Sequence, residues 1–311
     1  MAKKKSTRGT SNDRFKRLLP SPETRALVAR VSLSVIGVVA LVLGVWGSLR
    51  IREAARSDDR FQIGGWELSV DSFPKWVTPE IQGELARLPL ELEGRSSLFE
   101  RGVLVDVREA LSRSPWVERV EDVELSYPTT EAPGRIQARL VLREPVAMVA
   151  AGGDLYLADA EGRRLGAPYI DSGSWRESAA RWFHVPIIRG SRDLREIPVE
   201  GDKFLARDVI EGIGVAREIH RAGIHVEYPH WPIEAIDVAN IGGRVQPYSG
   251  DIVLICDGRQ LVWGRSPLSR ESRTLPVSEV IENLRYVLHN MHRADFKLVK
   301  LHYPRAVADN G

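Results

Sequence analysis

The sequence has little of the chemistry that most enzymes use. Cys256 is the only cysteine among 311 residues, so an internal disulfide is excluded, and the apolar run around it predicts a buried thiol in a strand. The seven histidines include no HExxH motif, and no GxSxG elbow or Walker loop is present. His289 and His292 are three residues apart without a third ligand, and we expect both to be solvated. These absences favour a non-enzymatic protein without metal, cofactor or small-molecule substrate.

Long apolar runs are also missing, with one exception. Residues 31–49 (VSLSVIGVVALVLGVWGSL) are 19 consecutive positions without a charge, about the length of a helix that crosses the hydrocarbon core of a bilayer. A cleaved signal peptide has a shorter apolar core and a small-x-small cleavage site, and residues 49–53 (LRIRE) offer no such site. We therefore predict one uncleaved anchor that contacts membrane lipid and holds the rest of the chain at one membrane surface.

Basic charge is concentrated before this segment. The first thirty residues carry nine basic and two acidic side chains, whereas the four arginines that follow the segment are diluted by three acidic residues. Because cytoplasmic flanks carry the excess of lysine and arginine, we predict a single-pass protein of the cytoplasmic (inner) membrane with a cytoplasmic N-terminus. Residues after about 50 are then periplasmic or otherwise extracytoplasmic. The polar N-terminal tail is predicted to be disordered, and it serves either as a topology signal or as a docking peptide.

The rest of the chain is mildly acidic. Residues 31–311 carry 35 basic and 40 acidic side chains, a formal charge of −5, although the whole chain carries +2. Binding to nucleic acid requires a basic face, so the charge distribution argues against a nucleic-acid partner.

The first part of the body is predicted to contain a strand, two helices and two further strands. Residues 66–70 alternate in polarity as a strand does, and Thr78 followed by Pro79 marks the start of a helix. A second helix carries Val103, Val107 and Leu111 at helical spacing and must end before Pro115. Residues 116–127 and 135–143 are two extended runs.

The second part is predicted to be mostly β. Residues 155–165 and 252–263 each form a hairpin, the second around Asp257-Gly258. Residues 204–221 and 277–292 are amphipathic helices, and the apolar run at 296–303 is a last strand.

These patterns predict an α+β protein with six segments. They are a disordered tail (1–30), a transmembrane helix (31–49), a juxtamembrane spacer (50–62), a small α+β domain (63–147), a mostly antiparallel β domain with two helices (148–307) and a short tail (308–311).

Several short motifs resemble the FtsQ/DivIB family of bacterial cell-division proteins. In chain order they are SPWV at 114–117, YP at 127–128, REPVA at 143–147, LYLAD at 155–159 followed by Gly162, VPIIRG at 185–190 and WGR at 263–265. The likeness covers roughly residues 25–307. It departs from the family at residues 300–303, where KLHY stands in place of DLRY.

The resemblance implies a POTRA domain for residues 63–147 and a non-enzymatic scaffold at the division septum. Such a scaffold binds FtsB-like and FtsL-like bitopic proteins and helps control septal peptidoglycan synthesis. In this family the last strand pairs with FtsB, so by position the contacts are Arg265, Phe296, Leu298, Leu301, His302 and Tyr303.

Other classes remain open at this point. One is a different POTRA-bearing component of envelope assembly or secretion, although only one such unit and no barrel are visible in the sequence. Another is an envelope hydrolase or sensor. A hydrolase could use a pair of carboxylates, and Glu121 and Asp122 are adjacent in sequence. Neighbouring residues of a strand point to opposite faces, so these two carboxylates cannot act on one substrate.

Overall fold

The computed structural model describes residues 22–58, 67–70, 73–88, 102–126, 135–170, 185–245, 252–269, 275–292, 296–304 and 306–309. Within these ranges the fold is mixed α+β, with one apolar N-terminal helix and a sheet-rich body. In chain order its elements are α1 (Pro22–Ser57), β1 (Glu67–Val70), α2 (Pro79–Arg87), α3 (Val103–Arg113), β2 (Val117–Ser126), β3 (Arg135–Leu142), β4 (Pro145–Ala151), β5 (Asp154–Asp159), β6 (Arg164–Ile170), β7 (Ile187–Arg189), α4 (Arg207–Arg221), α5 (Ile224–Glu227), β8 (Ala235–Asp237), β9 (Ile252–Cys256), β10 (Arg259–Gly264), α6 (Val277–Asn290), β11 (Leu298–Lys300) and β12 (Val307–Asp309).

Helix α1 is longer than the charge-free segment that predicts it. Its stretch Arg30–Ala55 is long and apolar enough to cross a membrane, and none of its most apolar part is buried. The sequence assigned residues 22–30 to a disordered tail, but the structure shows them as helix, and α1 also extends to Ser57 in the predicted spacer. The physical reason is that extending an existing helix is far easier than nucleating one, and Pro22 and Glu23 suit a helix N-terminus.

A three-stranded sheet and two helices form the first part of the body, in the predicted order. Strand β3 lies in the centre, parallel to β1 and antiparallel to β2. The Thr78 hydroxyl accepts a hydrogen bond from the Ile81 amide at 3.4 Å, and Pro79 is the first residue of α2, so the predicted cap is confirmed. Helix α3 ends at Arg113 and buries Val103, Val107 and Leu111 as predicted.

The second part of the body is a nine-stranded sheet in the order β12-β11-β10-β9-β8-β7-β4-β5-β6. Both predicted hairpins are present, and Asp257 and Gly258 adopt φ angles of 50° and 70°, as a tight type I′ turn requires. Helices α4 and α6 pack on one face of this sheet. The apolar stripe predicted for α6 is confirmed, since Val280, Ile281, Leu284, Val287 and Leu288 are buried.

Strand β4 is buried on both faces, and this joins the two parts of the body. Ala147 and Val149 belong to the core under α4 and α6, whereas Met148 belongs to a second core that contains Ile81 and Leu85 of α2. The predicted domain boundary between residues 147 and 148 therefore falls inside a strand, and the described residues from Glu67 onward form one compact unit. The sequence could not show this, because alternation between two buried faces looks like one continuous apolar run.

Trp116 sits at the centre of this second core. Its side chain is buried, and its indole Nε1 donates a hydrogen bond to the Glu84 carboxylate at 3.2 Å. The Arg143 amide donates to the Trp116 carbonyl at 2.8 Å. The ring also lies directly against Gly166 of β6, where a Cβ atom added to the glycine would be 2.6 Å from a ring carbon. Trp116 thus connects α2, the end of β3 and the larger sheet.

Replacing Gly166 by alanine tests this joint. Gly166 has a φ of +59°, a backbone conformation that strains any residue with a side chain. The Cβ atom of an alanine at this position would also clash with the Trp116 ring. We expect Gly166→Ala to lower the free energy of unfolding by about 2–5 kcal/mol, the sum of left-handed strain and overpacking. Urea denaturation of the full chain in detergent measures the loss.

Gly201→Ala is the matched control. Gly201 also has a positive φ, +86°, but no atom lies within 4 Å of the position of its added Cβ. Strain alone should cost about 1–2 kcal/mol. Equal losses for the two variants would show that Trp116 is not tightly held against Gly166.

Candidate partner-binding site

The strand predicted at residues 296–303 is shorter than expected and is not the last one. Only Leu298–Lys300 forms strand β11, which runs parallel to β10 and antiparallel to β12. Residues 301–304 are a turn, and the predicted C-terminal tail contributes to strand β12. Strand β12 is only three residues long, too short for an alternation of polar and apolar residues to predict it. Its pairing with β11 fixes its extended conformation.

Two of the predicted contact residues are part of the core. Leu301 is fully buried and Phe296 nearly so, and both belong to the cluster under α4 and α6. The Arg259 guanidinium lies 5.2 Å from the centre of the Phe296 ring and donates to the Met291 carbonyl at 2.9 Å. Phe296 and Leu301 were therefore wrongly placed at a binding surface, because an apolar strand residue looks the same whether it faces core or partner. Leu298 is half-buried.

Three other predicted residues meet at one corner, where β10 ends and the β11–β12 turn begins. Arg265 and Tyr303 are exposed, the latter by 42%. His302 packs against Gly264, and its Nδ1 lies 3.3 Å from the Val262 carbonyl oxygen. The His302 and Tyr303 rings are 4.6 Å apart. His302 and Tyr303 thus lie beside Gly264, the residue that precedes Arg265, and we call Arg265, His302 and Tyr303 the corner.

Asn283 of α6 holds this corner in place, and sequence reasoning missed it. Its Nδ2 donates to the carbonyl oxygens of Leu301 at 2.7 Å and Tyr303 at 3.0 Å. One side-chain amide thereby satisfies two backbone carbonyls of the turn. The only signal in the sequence was a polar residue flanking the apolar stripe of α6, which is ordinary for a surface helix.

Strand β12 forms the outer edge of the sheet among the described residues. The Gln260 amide donates to the Lys297 carbonyl and the Leu301 amide to the Val262 carbonyl, so odd-numbered residues of β11 bond to β10. Leu298 and Lys300 therefore bond to their β12 partners Asp309 and Val307. Because strand residues alternate in direction, the N–H and C=O of Ala308 point away from the sheet. An extended peptide can pair with this edge.

Among the described histidines, His220 and His225 are paired with ordinary neighbours, and Cys256 is buried. His220 stacks on His225 with ring centres 4.8 Å apart, and its Nε2 lies 3.4 Å from Glu144, a contact that lowers the pKa of that carboxyl. Within the described ranges, no three metal-binding side chains are close enough to hold an ion. Burial raises the pKa of Cys256 to about 12, so this thiol is not a nucleophile at neutral pH. His289 and His292 are exposed, as predicted.

Among the residues that the structure describes, two carboxyl groups have a raised pKa, a common feature of acid–base catalysts. Burial raises the pKa of Asp159, whose carboxylate accepts the Glu161 and Arg163 amides and pairs with Arg143 at 3.3 Å. Burial likewise raises the pKa of Glu84, which accepts the Trp116 indole N–H. Both carboxyls are used in structural hydrogen bonds: Asp159 shapes the β5–β6 turn, and Glu84 fixes Trp116.

No protein-family model matches the chain, and no curated protein matches it. Support for a function therefore comes from the sequence motifs and from the geometry of the sheet edge.

Asn283→Ala tests whether α6 holds the corner. Removing the Asn283 side-chain amide leaves the Leu301 and Tyr303 carbonyls without this donor. We therefore expect the backbone amide of Leu301 to exchange with deuterium about tenfold faster, which corresponds to a loss of about 1.4 kcal/mol in local stability. Hydrogen exchange of the full chain measures the rate.

Asn290→Ala provides the comparison for this variant. Asn290 donates to the Tyr286 carbonyl of its own helix, so its loss should leave exchange at residues 298–302 unchanged. If exchange there were the same in Asn283→Ala as in the parent protein, Asn283 would have no holding role.

Proposed function

We propose that this protein is a membrane-anchored, non-enzymatic scaffold of bacterial cell division, similar to the FtsQ/DivIB family. In this proposal α1 crosses the cytoplasmic membrane with the N-terminus inside, and the body lies on the outer side at the septum. An FtsB-like bitopic protein adds a strand to the outer edge of β12. The observation that carries the proposal is this edge strand, which ends the sheet beside the corner of Arg265, His302 and Tyr303.

The family motifs support the proposal through the roles of their residues. Trp116 of SPWV fills the joint between the two parts of the body. Arg143 of REPVA pairs with Asp159 of LYLAD beside the same joint. Residues of three motifs thus meet at one joint, as we expect of motifs inherited together from an FtsQ-like protein.

We place the proposed pairing at β12 rather than at the strand expected at residues 296–303. Strand β11 is already paired on both sides, so a partner cannot add to it without displacing β12. Proline at Leu301 would remove the amide that bonds to Val262 and would break the fold rather than the binding site. The contacts that remain for a partner are the β12 backbone and the side chains of the corner.

Ala308→Pro is the sharpest test of strand addition. It removes the N–H that points outward from β12 and keeps the bonds between β11 and β12, since edge strands tolerate proline on their open side. We expect copurification of the full chain with the FtsB-like protein of the same organism to fall at least about tenfold. Tyr303→Ala should also lower this copurification, because it removes one of the exposed side chains of the corner.

Ala308→Val is the matched control, because valine keeps the N–H and favours a strand. It should copurify as the parent protein does. Undiminished binding by Ala308→Pro would rule out pairing at β12. A fluorescent fusion that failed to concentrate at the septum would contradict the wider function.

A further inference from the structure

The loop between β7 and α4, residues 190–206, is longer than most loops in a compact domain, and its only regular pairing is a single β-bridge between Lys203 and Arg163. Irregular loops of more than about 12–15 residues are uncommon unless they are functional or disordered. This loop is held at both ends by specific hydrogen bonds. Its structure is therefore preformed, and its exposed side chains are displayed at fixed positions.

The first end is fixed by Asp208, a fully buried carboxylate in the first turn of α4. It accepts hydrogen bonds from the Ser191 hydroxyl at 2.7 Å and from the backbone amides of Arg192 and Asp193 at 2.7 and 3.0 Å. Arg244 pairs with Asp193 at 2.9 Å.

The second end is fixed by two arginines next to and within β6. Arg164 donates to the Pro198 carbonyl at 2.8 Å, and Arg163 donates to the Gly201 carbonyl at 2.9 Å. The Gly201 amide donates in return to the Arg164 carbonyl at 2.9 Å. The loop therefore lies along the edge of the sheet that is opposite to β12.

A cavity of about 500 Å³ opens between the two halves of this loop, within the size range of ligand and peptide-anchor sites. Its apolar lining comes from Leu194, Ile197, Pro198 and Leu205. Leu205 is 87% exposed, and Val199 of the same loop is 68% exposed. Large apolar side chains on a rigid loop beside a cavity are typical of an interaction surface.

The charges around the cavity are unequal. Asp193 is neutralised by Arg244, and Arg207 is neutralised by Glu211 at 2.8 Å. The other charged groups of the lining are two cations, Arg195 and Lys203, and one anion, Glu196. These three groups give the lining a net charge of +1 on a body that is otherwise acidic, and the nearby Glu200 is paired with Arg164 at 3.4 Å. The electrostatic complement of this lining is an acidic ligand.

We propose that this cavity binds an extended acidic segment of a second protein. An aliphatic side chain of that segment enters the cavity beside Leu205, and its flanking carboxylates contact Arg195 and Lys203. This contact lies at the opposite edge of the sheet from β12. It does not depend on strand addition there, and the protein can hold two partners at once.

The test uses the full chain in detergent and two labelled, terminally blocked heptapeptides, one of alternating Glu and Leu and one of alternating Lys and Leu. Fluorescence anisotropy at low salt should show that the acidic peptide binds at least about tenfold more tightly than the basic one. Lys203→Glu should lower the affinity for the acidic peptide about tenfold, and Leu205→Ser should also lower it.

Lys297→Glu is the matched control, since Lys297 is also exposed but lies beside β11. The affinity of Lys297→Glu for the acidic peptide should be within about twofold of that of the parent protein. All variants should unfold at the same urea concentration as the parent protein. Equal affinity for the two peptides, or equal effects of Lys203→Glu and Lys297→Glu, would overturn the proposal.

Discussion

The burial of Trp116 is the interaction on which the body of this protein depends. One indole ring fills the space between α2 and β6, and its N–H and backbone carbonyl are both hydrogen-bonded. Because β4 is buried on both faces, one of its faces closes an apolar interior between the small sheet and the larger sheet, where Val117 of β2 and Met148 of β4 are buried with Trp116. Movement of one sheet against the other would expose that interior. A body built in this way presents its sheet edges at fixed positions.

The ends of the larger sheet are where this rigidity has consequences for function. At one end the short β12 leaves the backbone of Ala308 facing outward, and Asn283 holds the adjacent turn through two hydrogen bonds. At the other end the loop of residues 190–206 is hydrogen-bonded to Arg164, the first residue of β6. The first end is suited to pairing with a strand, and the second to contact through side chains. Backbone pairing gives affinity with little selectivity, so the corner side chains would supply specificity.

Much of the local structure could be predicted, because its causes are local. The Thr78-Pro79 cap, the end of α3 before Pro115 and the Asp257-Gly258 turn each follow from the preferences of one or two residues. The boundary inside β4 and the burial of Phe296 and Leu301 could not be predicted, since they depend on which surfaces pack together. Strand β12 exists only because β11 lies beside it. Sequence reasoning therefore did not identify β12, the strand that forms the sheet edge beside the predicted contact residues.

We propose that the body binds its partner by backbone pairing at one sheet edge. Hydrogen exchange of the full chain, with and without the purified FtsB-like partner, measures this pairing at the backbone amides themselves. The account predicts slower exchange in the segment of residues 306–309 when the partner is bound, with no change at the Leu301 amide, which is already bonded to Val262. Unchanged exchange at 306–309 in a saturated complex would contradict it.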